Sequence, residues 1–225
     1  LEHIDDQHLN NYPNFCLIHS KEINHPFGSS LNTRMNKAFK KAKIIIANSK
    51  YTKELGVNMG LEKYKIHVIN PGTNYPITLN EDSKLEAKNI FSSAFPKIIT
   101  IARLDKRKSH QNILMTIKNL VPTYPDIKYV CVGDGDEKNN LEELRKQLGL
   151  ENQVSFIPRT DENLKIALLS ECDLFLMPSI IHKKSVEGFG ISFIEAGSYG
   201  KGSIGGKDGG QALSLIHISE PTRRS

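Results

Sequence analysis

The segment E-G-F-G-I-S-F-I-E, residues 187–195, sets two carboxylates, Glu187 and Glu195, eight positions apart around a pair of glycines. Gly188 and Gly190 let the backbone approach a ligand closely, and the apolar run from Ile191 predicts a helix that begins there. A helix N-terminus carries unpaired N–H groups and the positive end of the helix dipole, which together suit a diphosphate. Glu195 stands about one turn into that helix, where its two oxygens can accept from both hydroxyls of a ribose. Glu187 then falls on the sugar side of the same diphosphate. Alone, such a pair reads more simply as a helix cap with two surface glutamates, because short motifs recur by chance.

The other unusual residues fall at recurring places. Arg103 is followed by the cluster Lys106, Arg107 and Lys108; then come Gly133-Asp134-Gly135, Arg159 with Thr160, Ser179, and the pairs Gly205-Gly206 and Gly209-Gly210. Each follows a short apolar, β-branched run: 97–104, 127–135, 154–159, 173–179 and 201–206. Between those runs lie amphipathic stretches predicted as helices over 112–124, 138–150, 161–172 and 190–200, with Asp161 as an N-cap and Gly149 as a C-cap. Strands apolar on both faces that alternate with helices specify a doubly wound α/β domain with a parallel sheet. Ligands of such sheets bind beyond the carboxyl ends of the strands, at the point where the strand order reverses. A solvated basic loop is the default for an isolated K-R-K, but its place at a strand end favours a ligand-binding role.

Residues 1–75 read as the last units of another α/β domain, with strand-like runs at 15–20, 43–49 and 65–72 and a basic helix over 32–43. The polar stretch 76–95 reads as the interdomain linker, and 96–212 as the doubly wound ligand-binding domain. Residues 213–225 (L-S-L-I-H-I-S-E-P-T-R-R-S) follow a Gly-rich loop without cap or helical period. They look like a translated sequencing adapter and are set aside as a non-native tail, so that the chain is expected to be truncated, poorly soluble and inactive by itself.

In order along the chain, A-R-L-D-K-R-K, V-G-D-G, M-P-S, E-G-F-G-I-S-F-I-E-A and G-G-K-D-G-G resemble the family 4 retaining glycosyltransferases of the GT-B architecture, over nearly all of residues 43–212. The resemblance implies that Arg103 and Lys108 neutralise a leaving diphosphate, that Glu195 holds the ribose, and that Glu187 contacts the donor sugar. It assigns the Gly188, Phe189, Gly190 and Ile191 backbone to sugar and phosphate, and Gly133 and Gly135 to the donor cleft. His19, at the end of an early strand, corresponds to histidines that touch donor sugar or acceptor, although a structural histidine fits equally. Ala102 and Ser109 stand where the family often has glycines. Transfer is implied to retain anomeric configuration and to need no metal. Asp134 and Asp136 spell D-G-D, which in a Gly-rich turn reads as turn chemistry. Rival readings are a sugar-nucleotide epimerase, a phosphorylase (no pyridoxal-phosphate lysine segment is evident), or a non-catalytic nucleotide-sugar-binding fragment.

Bulk properties narrow the partners. The 225 residues are 38% hydrophobic and 24% charged, with a formal charge of +5 and no apolar run near the ~20 residues of a membrane span. The basic excess suits an anionic ligand or membrane face, and without aromatic-basic interleaving it gives nucleic acid no support. Cys16, Cys131 and Cys172 are far apart and odd in number, against a disulfide framework and consistent with a cytoplasmic compartment. The expected partners are a nucleotide sugar and a sugar or lipid-linked acceptor, in cell-envelope polysaccharide or glycolipid synthesis, with contact at the inner membrane face.

Overall fold

The computed structural model describes residues 11–20, 23–73, 78–212 and 215. Two parallel sheets organise them. The first has the order β1-β2-β3, from β1 (Phe15–Ile18), β2 (Ile44–Ala47) and β3 (Ile66–Val68), with α1 (Ser30–Lys41) and α2 (Lys50–Asn58) as its connections. Its strands alternate: Ile18, Ile45, Ala47 and Ile66 are buried with Phe39 of α1, whereas Phe15, Leu17 and Ile44 on the other face are exposed.

The second sheet has the order β6-β5-β4-β7-β8, all parallel. Its strands are β4 (Lys97–Ile101), β5 (Lys128–Val132), β6 (Val154–Ile157), β7 (Leu174–Met177) and β8 (Gly202–Gly205). Apolar side chains of β4 and β5 are buried on both faces, as their β-branched sequences require. Against one face pack α3 (Glu81–Phe91), α6 (Glu162–Glu171) and α7 (Ile191–Ser198), through Phe91, Leu168 and Phe193 around Ile99, Val130 and Phe175. The rings of Phe175 and Phe193 meet edge to face, centroids 5.4 Å apart, and burying each contributes about 1.5–3 kcal/mol. Against the other face pack α4 (His110–Leu120) and α5 (Lys138–Gln147), through Ile113, Leu114, Ile117 and Leu141.

The helix ends follow the sequence. The Asp161 side chain accepts from Leu164 N at 2.9 Å, and Gly149 closes α5 with φ +65°. One expectation is corrected. Most of the stretch 76–95 is not linker, because 81–91 form α3, whose Ala87 and Phe91 enter the core of the second sheet. The polar surface of that helix hid its buried stripe of Ser83, Ala87 and Phe91. Residues 74–77 and, except for Leu215, the 213–225 tail lie outside the described residues; Leu215 packs against the α7 side of the core.

Candidate functional site

The chain leaves β4 towards β5 and β6 on one side, then returns through β7 and β8 on the other, so the strand order reverses between β4 and β7. The loops that follow those two strands therefore part at their carboxyl ends, the place where open parallel sheets bind ligands. The loop after β4 carries Arg103 and a short 3-10 turn, Lys106–Lys108, capped by Asp105, whose side chain accepts from Lys108 N at 3.2 Å. The loop after β7 carries Glu187 to Gly190.

These two loops meet through charge. Glu187 accepts from Arg107 Nη1 at 2.6 Å and is also bonded by Lys108 Nζ. Lys108 is only 7% exposed, and its Nζ lies 3.2 Å from Met177 Sδ. Burial pulls the Lys108 ammonium below its ordinary value, against an opposing pull from Glu187. Burial pushes the Glu187 carboxyl up, but Lys108 and Arg107 outweigh it and hold the group ionised below its ordinary value. With the Asp105 carboxylate 4.0 Å from Arg107 Nη2, the site is a partly dehydrated charge cluster of two cations and two anions.

Of the predicted pair of cations, the structure brings Lys108 to Glu187 and leaves the Arg103 side chain exposed. The Arg103 carbonyl lies 3.0 Å from Nε2 of His110, a buried residue whose other ring nitrogen is 3.5 Å from Cys131 Sγ. Arg107 was passed over because nothing in K-R-K tells which side chain turns inward.

Glu195 lies on α7 and accepts from Lys165 Nζ of α6 at 3.0 Å. Burial lowers the Lys165 ammonium, but its bonds to Glu162 and Glu195 prevail and raise it. No sequence signal pairs residues thirty positions apart on different helices. Gly190 caps α7 with φ +89°, and a Cβ there would come within 2.8 Å of the Phe193 ring. The Ile191 side chain is exposed at the mouth of that helix, while Phe189 is 2% exposed. Gly188 is buried against the N-terminal unit, and its carbonyl accepts from Ser49 Oγ at 2.6 Å. His19 follows β1 directly and is exposed.

The glycines after β5 serve backbone packing. A Cβ on Gly133 would lie 1.9 Å from the Ala102 carbonyl, and one on Gly135 would lie 2.4 Å from that of Leu104. The two loops can touch only because those side chains are missing. Asp134 accepts from the next backbone amide, Gly135 N, at 2.9 Å, which is turn chemistry. Ser109, in place of a glycine, takes the left-handed conformation with φ +59°, and Asn112 donates to its hydroxyl. Ala102 keeps a negative φ. Gln211, also unanticipated, is fully buried; it accepts from Ser179 N and Gly206 N and donates to the Ser179 and Asp208 carbonyls, tying the loops after β7 and β8 together. Among the described residues no cluster of three or more His, Cys, Asp or Glu could hold a metal ion.

Comparison with known proteins gives this geometry a lineage. An uncharacterized glycosyltransferase of Haemophilus influenzae is 33% identical over 144 residues, 62% of this chain and 36% of that protein. A GDP-mannose-dependent monoacylated alpha-(1-6)-phosphatidylinositol monomannoside mannosyltransferase of Corynebacterium glutamicum is 28% identical over 137 residues, 60% of this chain and 35% of that protein. Among solved structures, Anabaena HepE in complex with UDP and glucose superposes with a TM-score of 0.73 at 23% identity, covering 93% of this chain and 59% of that one. This chain therefore spans little more than a third of those two curated relatives. The fold is the GT-B type, with two parallel-sheet units. Residues 81–217, from α3 through the site just described, match the family described as "Glycosyl transferases group 1". With more than half of its length inside that match, the chain belongs to the group 1 glycosyl transferases.

Proposed function

We propose that the whole protein transfers a sugar from a nucleotide-sugar donor to an acceptor hydroxyl with retention, and that this chain supplies the donor seat. The carrying observation is the disposition of the two glutamates: Glu187 bonded to Arg107 and Lys108 at the strand-order switch, and Glu195 on the helix that Gly190 opens. The α7 N-terminus seats the diphosphate and Glu195, oriented by Lys165, takes the ribose hydroxyls. Glu187 and His19 face the sugar.

In the reaction the acceptor oxygen attacks the anomeric carbon on the face that the leaving group departs from. The bond from that carbon to the diphosphate oxygen breaks, and the acceptor proton passes to the departing phosphate. Negative charge grows on the diphosphate, where Arg103, Arg107 and Lys108 supply fixed positive charge. Arg gives a planar fork and Lys a point charge to phosphate oxygens. Side chains fill this role, and no metal ion is called for.

Glycolipid or cell-envelope polysaccharide synthesis is the proposed setting, supported by the phosphatidylinositol-mannoside mannosyltransferase among the relatives. Among the described residues no helix is long and apolar enough to cross a membrane. Peripheral contact at the cytoplasmic face is supported by Phe27, 92% exposed just before α1, and by exposed Leu31, Lys37 and Lys40 on α1. Nucleic acid has no part in the proposal.

Calorimetric titration with UDP and with GDP tests the seat. Glu195→Ala should weaken the nucleoside diphosphate that binds by about 1–3 kcal/mol, the cost of leaving polar partners unpaired. Unchanged affinity would remove Glu195 from the ribose.

A further inference from the structure

The loop that carries Glu187 is gripped by the other sheet. The carbonyls of Lys184, Val186 and Gly188 each accept from a side chain of the N-terminal unit: Asn24 Nδ2, Ser20 Oγ at 2.7 Å and Ser49 Oγ at 2.6 Å. The intervening Glu187 carbonyl turns the other way and accepts from Gly210 N at 2.7 Å. Carbonyls 186 to 188 thus alternate in direction, as in an extended chain, whereas Lys184 presents its carbonyl from the turn between the bridged residues His182 and Ser185. Ser20 and Asn24 follow β1 and Ser49 follows β2, so all three donors come from beyond the carboxyl ends of the first sheet. Gly188 permits the approach, since a Cβ there would come within 3.1 Å of Asn48 Nδ2 and 3.4 Å of Ser20 Oγ.

Each bond fixes one backbone atom, and those at 186 and 188 flank Glu187 directly. The Glu187 carboxylate is held from the second unit by Arg107 and Lys108, while its backbone is registered by the first. We infer that Ser20, Asn24 and Ser49 are positioning residues, which set the sugar-facing carboxylate by docking its loop onto the N-terminal unit. The inference rests on the reading that Glu187 faces the donor sugar. The three donors bond only the carbonyls of 184, 186 and 188 in this loop, not the loop after β4 or the first turn of α7, so the diphosphate seat should be less sensitive to their loss than the sugar-facing carboxylate.

The test uses the 225-residue chain and its Ser20→Ala variant. Ser49→Ala also removes the α2 cap, in which Ser49 Oγ accepts from Thr52 N at 3.0 Å, so it is compared with the hydroxyl-retaining Ser49→Thr. Hydrogen–deuterium exchange of the peptide 182–190 reads the docking, and titrations with UDP against UDP-glucose, and GDP against GDP-mannose, read the consequence. In Ser20→Ala the peptide should exchange about tenfold faster. Affinity for the nucleotide sugar should fall about three- to tenfold, while that for the diphosphate alone should change less than twofold. Ser49→Thr should retain the sugar-specific affinity that Ser49→Ala loses. Unchanged exchange, or equal losses for nucleotide sugar and diphosphate, would overturn the inference. A parent chain that binds no nucleotide would instead refute the donor seat assigned to this chain, and the exchange measurement would still decide whether the loop is docked.

Discussion

Lys108 and Glu187 are nearly removed from water, and each opposes the burial penalty on the other's charge. A buried ion pair of this kind gains little net stability, since desolvation offsets attraction, but removing either partner leaves a costly lone charge. His110 stands two residues away and titrates by the opposite logic. Burial holds its imidazole below the ordinary value, and Lys108 adds to that, against upward pulls from the Arg103 carbonyl and Asp105. A histidine depressed in the folded state is protonated first in the unfolded chain. Its contribution to stability is therefore complete above the ordinary histidine value of about 6.5 and declines as pH falls below it. Glu187, also depressed, follows at lower pH, below the ordinary carboxylate range. Scanning calorimetry should show the melting temperature falling from pH 7 towards pH 5. In His110→Gln it should start lower and fall less steeply over the same interval; parallel slopes would place the titration elsewhere. The residue types at this site were legible in the sequence. Which of three consecutive cations turned inward was not, because a tight 3-10 turn sends neighbouring side chains in different directions.

At the scale of elements, α7 begins where Gly190 adopts φ +89°, a conformation that an L side chain takes only with strain. A Cβ there would also press on the Phe193 ring, which is fixed in the core by Phe175. Gly190→Ala should lower stability by about 1–3 kcal/mol, read from the urea midpoint. It should also weaken the diphosphate seat, because the first turn of α7 must tilt to relieve the contact. A variant with parental midpoint and affinity would show that the helix start tolerates a side chain. The glycine and the helix it opens were both readable from E-G-F-G followed by an apolar run. The helix α3 was not, because eight of its eleven residues are not buried and only one narrow stripe turns inward.

Across the whole molecule the two sheets differ in their cover. The second is sandwiched between helices, whereas the first exposes Phe15 and Leu17 of β1, Ile44 of β2 and Ile69 just after β3 on one face. Among the described strands β1 pairs only with β2. Exposed apolar faces promote association. The 225-residue chain should self-associate at micromolar concentration in sedimentation velocity, and Phe15→Lys with Leu17→Lys should shift it towards monomer. An unmodified chain that sediments as a monomer would show that this face is not adhesive.

The sequence by itself determined the strands, the helices other than α2 and α3, and the order in which chemistry-bearing residues follow the strands. Hydrophobic period, β-branching and the Asp161 and Gly149 caps are local properties, and local physics reads them out. It also determined that E-G-F-G-I-S-F-I-E opens a helix between two carboxylates. Only the tertiary structure decided who meets whom: Arg107 and Lys108 on Glu187, Lys165 on Glu195, Gln211 between two loops, and Ser20, Asn24 and Ser49 on the carbonyls of Val186, Lys184 and Gly188. Those pairings join residues up to 166 positions apart. They arise because parallel crossover connections carry every strand's carboxyl end to one edge of the sheet, where loops distant in sequence must share a single crevice.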